Sequence, residues 1–261
     1  MFVPKFVCYT ISCQMSPYLL NGLQQLAISE TASAQFIDRV DARYLLPKRR
    51  LEEILAEIRP HYHLLHLRGK RLFRYDTLYF DTPERIFYHQ HLADKLNRYK
   101  IRSRRYVETN DQFFELKWKN NKRTTITKRV RLEDMSEQIC EDGRLLLAQN
   151  VPSISAALEP ALWVYYHRFM LVSPQTGERL TFDTNLWFRW RSQFVAYPNL
   201  IIADIQQERG IESPFRNLMK ACEVREGGIS KYCLGLVNVE PSLKANNLKP
   251  MLSRINRLNE E

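Results

Sequence analysis

The stretch NRYKIRSRRY, residues 97–106, places basic side chains at alternate positions, namely Arg98, Lys100, Arg102 and Arg104. In a β-strand successive side chains point to opposite faces, so these four side chains would project from one surface. Like charges stacked this closely repel one another unless solvent or an anion lies against them. The pattern therefore predicts a strand whose charged face is either fully hydrated or turned toward an anionic ligand.

The composition of the chain indicates a folded, basic protein. Hydrophobic residues make up 44% of the 261 positions, which is enough for a core and argues against a disordered chain. The 39 Lys and Arg residues exceed the 29 Asp and Glu residues, and the net charge of +10 favours polyanionic partners. Five scattered cysteines without a CxxC pair are typical of a reduced, cytoplasmic chain. The first residues, MFVPKFVCYTISCQ, have neither the basic start nor the long apolar run of a signal peptide or membrane span.

The order of predicted elements favours an α+β fold. Alternating or aromatic-rich runs predict strands over 36–46, 62–69, 72–82, 97–107, 112–119, 124–133, 162–172, 178–190 and 198–207. Helices are predicted over 48–59, 83–96, 135–148 and 213–222, and the last ordered element begins at SKYCLGL. Closely spaced strands of this kind predict an antiparallel β-barrel, closed or nearly closed, with helices packed outside. We assign residues 1–35 to an N-terminal extension, 36–241 to the folded domain and 242–261 to a C-terminal tail.

Several of these strands carry one charged face and one apolar face. In FFELKWK, Glu115, Lys117 and Lys119 share a face that opposes Phe114, Leu116 and Trp118. An ordinary sandwich would turn such apolar faces inward and leave the charges in solvent. If helices cover the apolar faces instead, the charged faces line a central cavity. Arg and Lys together with carboxylates suit a triphosphate, because cations hold phosphate oxygens and acids hold a bridging divalent metal.

Two other patterns are weaker indications of chemistry. The clusters HYHLLH and HQH resemble zinc ligands, but no cysteine or acid completes either set. Ser230 and Lys231 are adjacent like a catalytic Ser-Lys pair, yet neighbouring positions in a strand or helix diverge. The basic charge alone would also suit RNA, although no RNA-binding motif occurs. We therefore expect no nucleic-acid partner.

Five stretches together carry a family resemblance. They are YFDTPERIFYHQHLADKLNRYKIRSRRY, FFELKWKNNKRTTITKRV, YYHRFM, RLTFDTNL and SKYCLG. In this order, across roughly residues 36–238, they are similar to the VTC domain, the polyphosphate polymerase module of the triphosphate tunnel superfamily. The resemblance implies an antiparallel tunnel that binds ATP and a divalent metal, Mn²⁺ or Mg²⁺. The γ-phosphoryl group would then pass to the end of an inorganic polyphosphate chain threaded through the tunnel.

The resemblance also assigns residues to roles, position by position. Arg43 takes the place of a phosphate-binding lysine, and Arg129, with Lys128 as second choice, takes that of another. It assigns a catalytic role to Arg102, Arg104, Lys117, Arg168 and Lys231; phosphate binding to Arg43, Lys100, Arg129, Tyr166, Arg179 and Ser230; and metal binding to Glu115, Asp204 and Asp183. The family's late Glu-x-Lys pattern is replaced here by Asp204 and Gln206 in IIADIQQE. The shorter acid shifts the implied metal site, so activity would be reduced, or lost with binding retained.

Three functions thus stay open at the level of sequence. The first is ATP-dependent polyphosphate synthesis, in which the protein contributes positioning and charge neutralisation. The second is a triphosphatase or polyphosphatase that uses water as the acceptor. The third is a polyphosphate- or nucleotide-binding module without catalysis. The resemblance leaves open a membrane protein partner that receives the product, as well as the oligomeric state.

Overall fold

A computed structural model describes residues 17–28, 39–122, 124–151 and 158–261 of the chain. Eleven strands form one sheet: β1 (Gln25–Ala27), β2 (Arg39–Pro47), β3 (His63–His66), β4 (Phe73–Asp81), β5 (Arg98–Tyr106), β6 (Asp111–Lys119), β7 (Thr125–Arg131), β8 (Glu159–Val172), β9 (Arg179–Trp190), β10 (Gln193–Tyr197) and β11 (Leu200–Glu208). The α-helices are α1 (Leu51–Ile58), α2 (Ile86–Leu92), α3 (Glu141–Asn150), α4 (Pro214–Ala221), α5 (Lys231–Val239) and α6 (Lys249–Glu260).

The sheet is antiparallel along its main path, in the order β2-β11-β9-β8-β4-β5-β6-β7. Short strands extend it, since β10 pairs with β9, β3 pairs with β8, and β1 pairs in parallel with β3. This arrangement, with helices packed against it, confirms the predicted α+β class and antiparallel architecture. Among the described strands no ladder joins β2 to β7, so the sheet curls around a cavity without closing.

Helices cover the apolar face of the sheet, as the alternation predicts. Phe182 on β9 is fully buried and meets Phe215 of α4 edge-on, with ring centroids 5.7 Å apart. Leu147 of α3 is buried beside Phe114 and Leu116 of β6. Burial of each such side chain contributes about 1.5–3 kcal/mol, and it fixes which face of each strand turns outward. The charged faces are thereby left on the concave side.

Helix α5 lies against β8 and β9 at one end of the concave side. Gly235 allows this approach, because a Cβ atom there would lie 2.3 Å from Cδ1 of Phe188 and 2.6 Å from Cδ2 of Leu162. The helix is buried along much of its length, including Tyr232, Leu234 and Leu236. Its first residue, Lys231, is therefore held at a fixed position beside the sheet.

Both chain ends contribute more structure than the sequence indicated. Residues 17–28, predicted to belong to an extension, form a 3-10 helix (Pro17–Leu20) and β1, while residues 1–16 lie outside the described part. The prediction that SKYCLGL begins the last ordered element is wrong, because α6 follows it. Helix α6 buries Ile255 completely, and Met251, Leu252 and Leu258 pack beside it at helical spacing.

Smaller differences concern element boundaries. Helix α2 begins at Ile86 rather than Pro83, since Arg85 before it adopts a left-handed φ of 56°. Helix α3 begins at Glu141, six residues later than predicted, and β10 was not predicted. In the part of the chain that the structure describes, no helix is long and apolar enough to cross a membrane.

Candidate active site

A cavity of about 760 Å³ occupies the concave side of the sheet. We call it the cation cavity, because ten Lys and Arg side chains line it. Its basic lining residues are Arg43, Arg98, Lys100, Arg102, Arg104, Lys117, Lys119, Arg168, Arg179 and Lys231. The four alternating cations of the opening stretch all belong to this set, so their shared face turns toward the cavity rather than toward open solvent.

Strands β5 and β6 form one wall of the cation cavity. Their register places Lys100 opposite Lys117 and Arg102 opposite Glu115. Glu115 is buried, and its Oε2 accepts a hydrogen bond from Nε of Arg102 at 2.7 Å and lies 2.6 Å from Nη2 of the same arginine. Arg104 donates from Nε to Oγ1 of Thr77 at 3.2 Å and lies over the ring of Tyr75. The guanidinium groups of Arg102 and Arg104 on β5 are thus held by neighbours on two strands, β4 and β6.

The opposite wall, on β2, β8, β9 and β11, carries two bidentate ion pairs. Arg43 donates to both carboxylate oxygens of Asp204, at 2.5 Å and 2.9 Å, across the β2–β11 register. Arg168 donates to both oxygens of Asp183, at 2.6 Å and 2.8 Å. Lys231 contacts the same carboxylate, so Asp183 compensates two cations. Such forks fix the orientation of a guanidinium more firmly than a single contact does.

Helix α5 brings Ser230 and Lys231 to the cavity. Ser230 is the N-cap of the helix and its hydroxyl accepts a hydrogen bond from the backbone N–H of Cys233 at 3.1 Å. The preceding Gly228 packs against Arg43, where a Cβ atom would lie 2.5 Å from Cδ of the arginine. Glycine at this position therefore allows Arg43 to reach Asp204. Lys231 also lies 4.9 Å above the ring centre of Tyr166.

Four cavity cations have no ion-pair partner among the described residues, namely Lys100, Arg104, Lys117 and Lys119. Burial lowers the pKa of Lys117, and the neighbouring Arg102 and Arg104 lower it further, to about 8. The pKa of Lys100 is also lowered, first by burial and then by nearby arginines. Uncompensated, partly buried cations that repel one another form a strong site for a polyanion, because a bound anion removes both the repulsion and the desolvation penalty.

The three acids keep their negative charge. Burial alone would raise the pKa of Asp183, but Arg168 and Lys231 outweigh burial and hold the pKa well below its usual range. The same balance lowers the pKa of Asp204 through Arg43 and that of Glu115 through Arg102. Each acid is therefore an ionised partner of at least one cavity cation at neutral pH.

A preassembled metal site is not part of this arrangement. Within the ranges that the structure describes, no three His, Cys, Asp or Glu residues cluster so that they could hold a metal ion. Glu115, Asp204 and Asp183 are each committed to arginine. A divalent ion such as Mg²⁺ commonly takes only one or two carboxylates when phosphates supply its other ligands. The acids here do not fit a protein-only site, and a metal would have to arrive on the phosphates of the substrate.

Most residues assigned from sequence meet in the cavity. Tyr166 and Arg179 line it beside the cations named above, and so do Asp41 and Gln206. Arg129 pairs opposite Glu115 on β7, but it lies outside the cavity lining, with its guanidinium 4.4 Å from the ring centre of Phe113. Lys128, the second choice, is exposed and bonds Asn150. The structure thus does not bring Arg129 to the phosphate-binding set.

The cavity also contains residues that the sequence analysis did not select. Tyr79 lines it from β4, where the alternation of Tyr75, Thr77 and Tyr79 could have indicated a shared inward face. His91 lines it from α2, and its Nε2 lies 2.9 Å from the carbonyl oxygen of Tyr99. Burial and then Lys100 lower the pKa of His91 to about 3, so this side chain is neutral at physiological pH.

Comparison with known proteins agrees with this geometry. A family model described as the VTC domain matches residues 38–239, which is most of the chain. No curated protein matches the sequence. Three solved structures are similar over most of their length but only distantly, and with TM-scores below 0.5 they carry no argument about function.

The PH1819 protein from Pyrococcus horikoshii is 14% identical, with a TM-score of 0.43, and the match covers 76% of this chain and 95% of that chain. A candidate adenylate cyclase from Bacillus halodurans is 12% identical, with a TM-score of 0.46 and coverages of 74% and 94%. The candidate adenylyl cyclase HpAC1 from Hippeastrum, described with a dominant triphosphatase activity, is 13% identical, with a TM-score of 0.43 and coverages of 79% and 97%.

Proposed function

The chain belongs to the VTC domain family, and from this premise we propose that it is a polyphosphate polymerase that uses ATP. The observation that carries the proposal is the convergence of ten Lys and Arg side chains on one cavity of about 760 Å³. A phosphate chain is the ligand class that compensates such a lining, because each phosphate unit offers charged oxygens along an extended backbone. The family membership supports a role in polyphosphate chemistry in particular.

In the proposed reaction a terminal oxygen of the polyphosphate chain attacks the γ-phosphorus of ATP. A new P–O bond forms to the chain, the bond between the β–γ bridging oxygen and the γ-phosphorus breaks, and ADP leaves with that electron pair. No side chain needs to become phosphorylated. The residues of the cavity act by position and charge, since phosphoryl transfer depends mainly on alignment and on neutralising the equatorial oxygens.

The two walls of the cavity would have different roles in this reaction. The uncommitted Lys100, Arg104 and Lys117 are the strongest candidates for holding phosphate oxygens, because no carboxylate competes for them. Arg43, Arg102 and Arg168 present forks whose orientation is already fixed by Asp204, Glu115 and Asp183. A divalent metal, Mn²⁺ or Mg²⁺, would supply further charge neutralisation when it is bound to the ATP phosphates.

A binding module without catalysis is the second candidate. Two observations favour it: each of the three acids assigned to the metal, Glu115, Asp183 and Asp204, is bound to arginine, and Asp204 replaces the longer acid of the family pattern. A cytoplasmic location and a membrane protein that receives the product stay predictions from the sequence.

A product assay separates these candidates. Purified protein is incubated with ATP and Mn²⁺, and both polyphosphate and free phosphate are measured. Polymer that appears together with ADP supports the polymerase. Free phosphate without polymer would replace it with a triphosphatase. If neither product forms although tripolyphosphate binds, the protein is a binding module.

A further inference from the structure

A buried tyrosine lies among the cations of the cavity. Tyr79 is 6% exposed and sits opposite Arg102 in the β4–β5 register. Nη1 of Arg102 donates a hydrogen bond to the Tyr79 hydroxyl oxygen at 3.3 Å, and the guanidinium carbon lies 6.0 Å from the ring centre. The phenol oxygen therefore acts as an acceptor toward a cation, which is the role of an anion in such a site.

The charged groups around Tyr79 are mostly positive. Strand β5 presents Lys100, Arg102 and Arg104 to it, and β6 adds Lys117. Among the described residues, the acid that interacts with these cations is Glu115, and Arg102 already engages it through two nitrogen atoms. These groups leave an excess of positive charge around the phenol.

The other neighbours of Tyr79 do not compensate this charge. Helix α5 contributes Tyr232, whose ring stacks on Tyr79 with centroids 5.0 Å apart. The Tyr232 hydroxyl donates to the carboxylate of Asp81, and burial together with that acid raises the pKa of Tyr232 well above its usual value. Tyr166 of β8 is a further neighbour of Arg102. Tyr232 is thus held as a neutral phenol, whereas Tyr79 faces cations.

The electrostatics of Tyr79 agree with this geometry. Burial alone would raise its pKa, but Arg102, Arg104 and Lys100 outweigh burial and lower the pKa to about 7. A phenolate at this position offsets one positive charge among the cavity cations that have no carboxylate partner. A phosphate polymer that enters the cavity brings several negative charges and removes that advantage.

We propose that Tyr79 is the internal counter-ion of the empty cation cavity: its phenol oxygen carries negative charge when no phosphate is bound and takes up a proton from solvent when a phosphate polymer enters. The inference rests on the proposed function only in naming the polymer as the ligand. Phosphate binding is then coupled to the uptake of a proton at one identified atom. The residue thereby makes affinity depend on pH, and it limits the repulsion among the cavity cations while the site is empty.

The first test follows tyrosinate in the free protein by its near-ultraviolet absorbance as the pH is raised. Wild type should show a one-tyrosine step near neutral pH, and Tyr79→Phe should lack it while keeping the ring against Tyr232. Tyr75→Phe is the matched control, since this cavity-side ring lies on the same strand and burial raises its pKa. The control should retain the step. A wild-type titration without any step near neutral pH overturns the proposal, whether or not the variants fold.

The second test adds tripolyphosphate at about pH 8, one unit above the pKa of Tyr79, where roughly ten phenolates exist per phenol. Tyrosinate absorbance of wild type should fall as the ligand binds. The ratio of the wild-type to the Tyr79→Phe dissociation constant should rise from ~1 near pH 6 to ~10 near pH 8, because only wild type must take up the proton. Comparing the two proteins at one pH cancels the titration of the ligand and of Lys117.

The outcomes separate the two proposals. Binding heat without any loss of tyrosinate absorbance, or a ratio that stays at ~1 across this pH range, refutes the role of Tyr79 and leaves the phosphate cavity intact. A neutral-pH tyrosinate step without any tripolyphosphate binding refutes the proposed function instead. Loss of absorbance together with the rising ratio supports both.

Discussion

Asp183 offers the sharpest test of how the cation cavity is held together. Its side chain is completely buried and compensates Arg168, 19% exposed, and Lys231, 9% exposed. Asp183→Asn keeps the shape of the side chain and removes its charge, which leaves two nearly buried cations without a partner. Removing one partner of a buried ion pair costs about 3–5 kcal/mol, and we expect the free energy of unfolding to fall by this amount.

The assay is thermal and urea denaturation of wild type and variant without phosphate. For a chain of this size each kcal/mol corresponds to roughly 2–4 °C, so the midpoint should fall by about 6–20 °C. The pKa of Asp183 is depressed in the folded protein, so its stabilising effect is present above the unfolded pKa of about 4 and is lost as the pH falls. The difference between the proteins should therefore be largest near neutral pH and shrink in acid.

Two further ion pairs provide a graded control. Asp204→Asn should cost less than Asp183→Asn, since Arg43 and Asp204 are 33% and 21% exposed and solvent screens them. Glu261→Gln should cost about 0–1 kcal/mol, because its partner Arg49 is 60% exposed. If Asp183→Asn unfolds at the same midpoint as wild type, Arg168 and Lys231 do not depend on this carboxylate, and the described arrangement of the wall is wrong.

Three more predictions concern the ligand. Arg104→Ala should weaken tripolyphosphate binding at least tenfold in calorimetric titration, whereas Arg129→Ala, outside the cavity, should change it less than twofold; equal losses would contradict the assigned lining. Affinity should fall above about pH 8 as Lys117 loses its proton, and Lys117→Arg should flatten that part of the pH profile; an unchanged profile would exclude Lys117 as the titrating cation. If wild type is active, Glu115→Gln should lower turnover in the product assay, because Arg102 loses the carboxylate that orients its guanidinium, and should leave tripolyphosphate affinity unchanged or raised; unaltered turnover would exclude this positioning role of Glu115.

Alternation along single strands made much of the fold predictable. The predicted strand over 97–107 corresponds to β5, and the one over 112–119 differs from β6 by a single residue. Such strands alternate between helix-covered and cavity faces, so their periodicity of two is uninterrupted. Helix α6 was missed because its apolar positions, Met251, Ile255 and Leu258, lie in a polar stretch whose packing partners on β2 and β11 are far away in sequence.

The site was predictable only in part for a related reason. Strand parity placed Arg102, Arg104 and Lys117 on one face, but the pairing of Arg43 with Asp204 joins residues 161 positions apart, and a single sequence does not reveal that register. The family resemblance supplied the residue and left its partner unknown. For Arg129 the face was predictable and the position was not. Its strand β7 lies at the end of the main path of the sheet, and its side chain packs on Phe113. The alternation of side chains along a strand predicts which face of the sheet a residue occupies, whereas the distance of that residue from the cavity depends on how the strand at the edge of the sheet curls.

A crystal structure of the protein grown with tripolyphosphate at saturation tests the central claim most directly. We expect a chain of phosphate density inside the cation cavity, with oxygens within hydrogen-bond distance of Lys100, Arg104 and Lys117, and with the arginine–carboxylate pairs of the opposite wall still in place. Tripolyphosphate bound only on the outer surface, with the cavity containing water alone, would contradict the assignment of this cavity as the phosphate site.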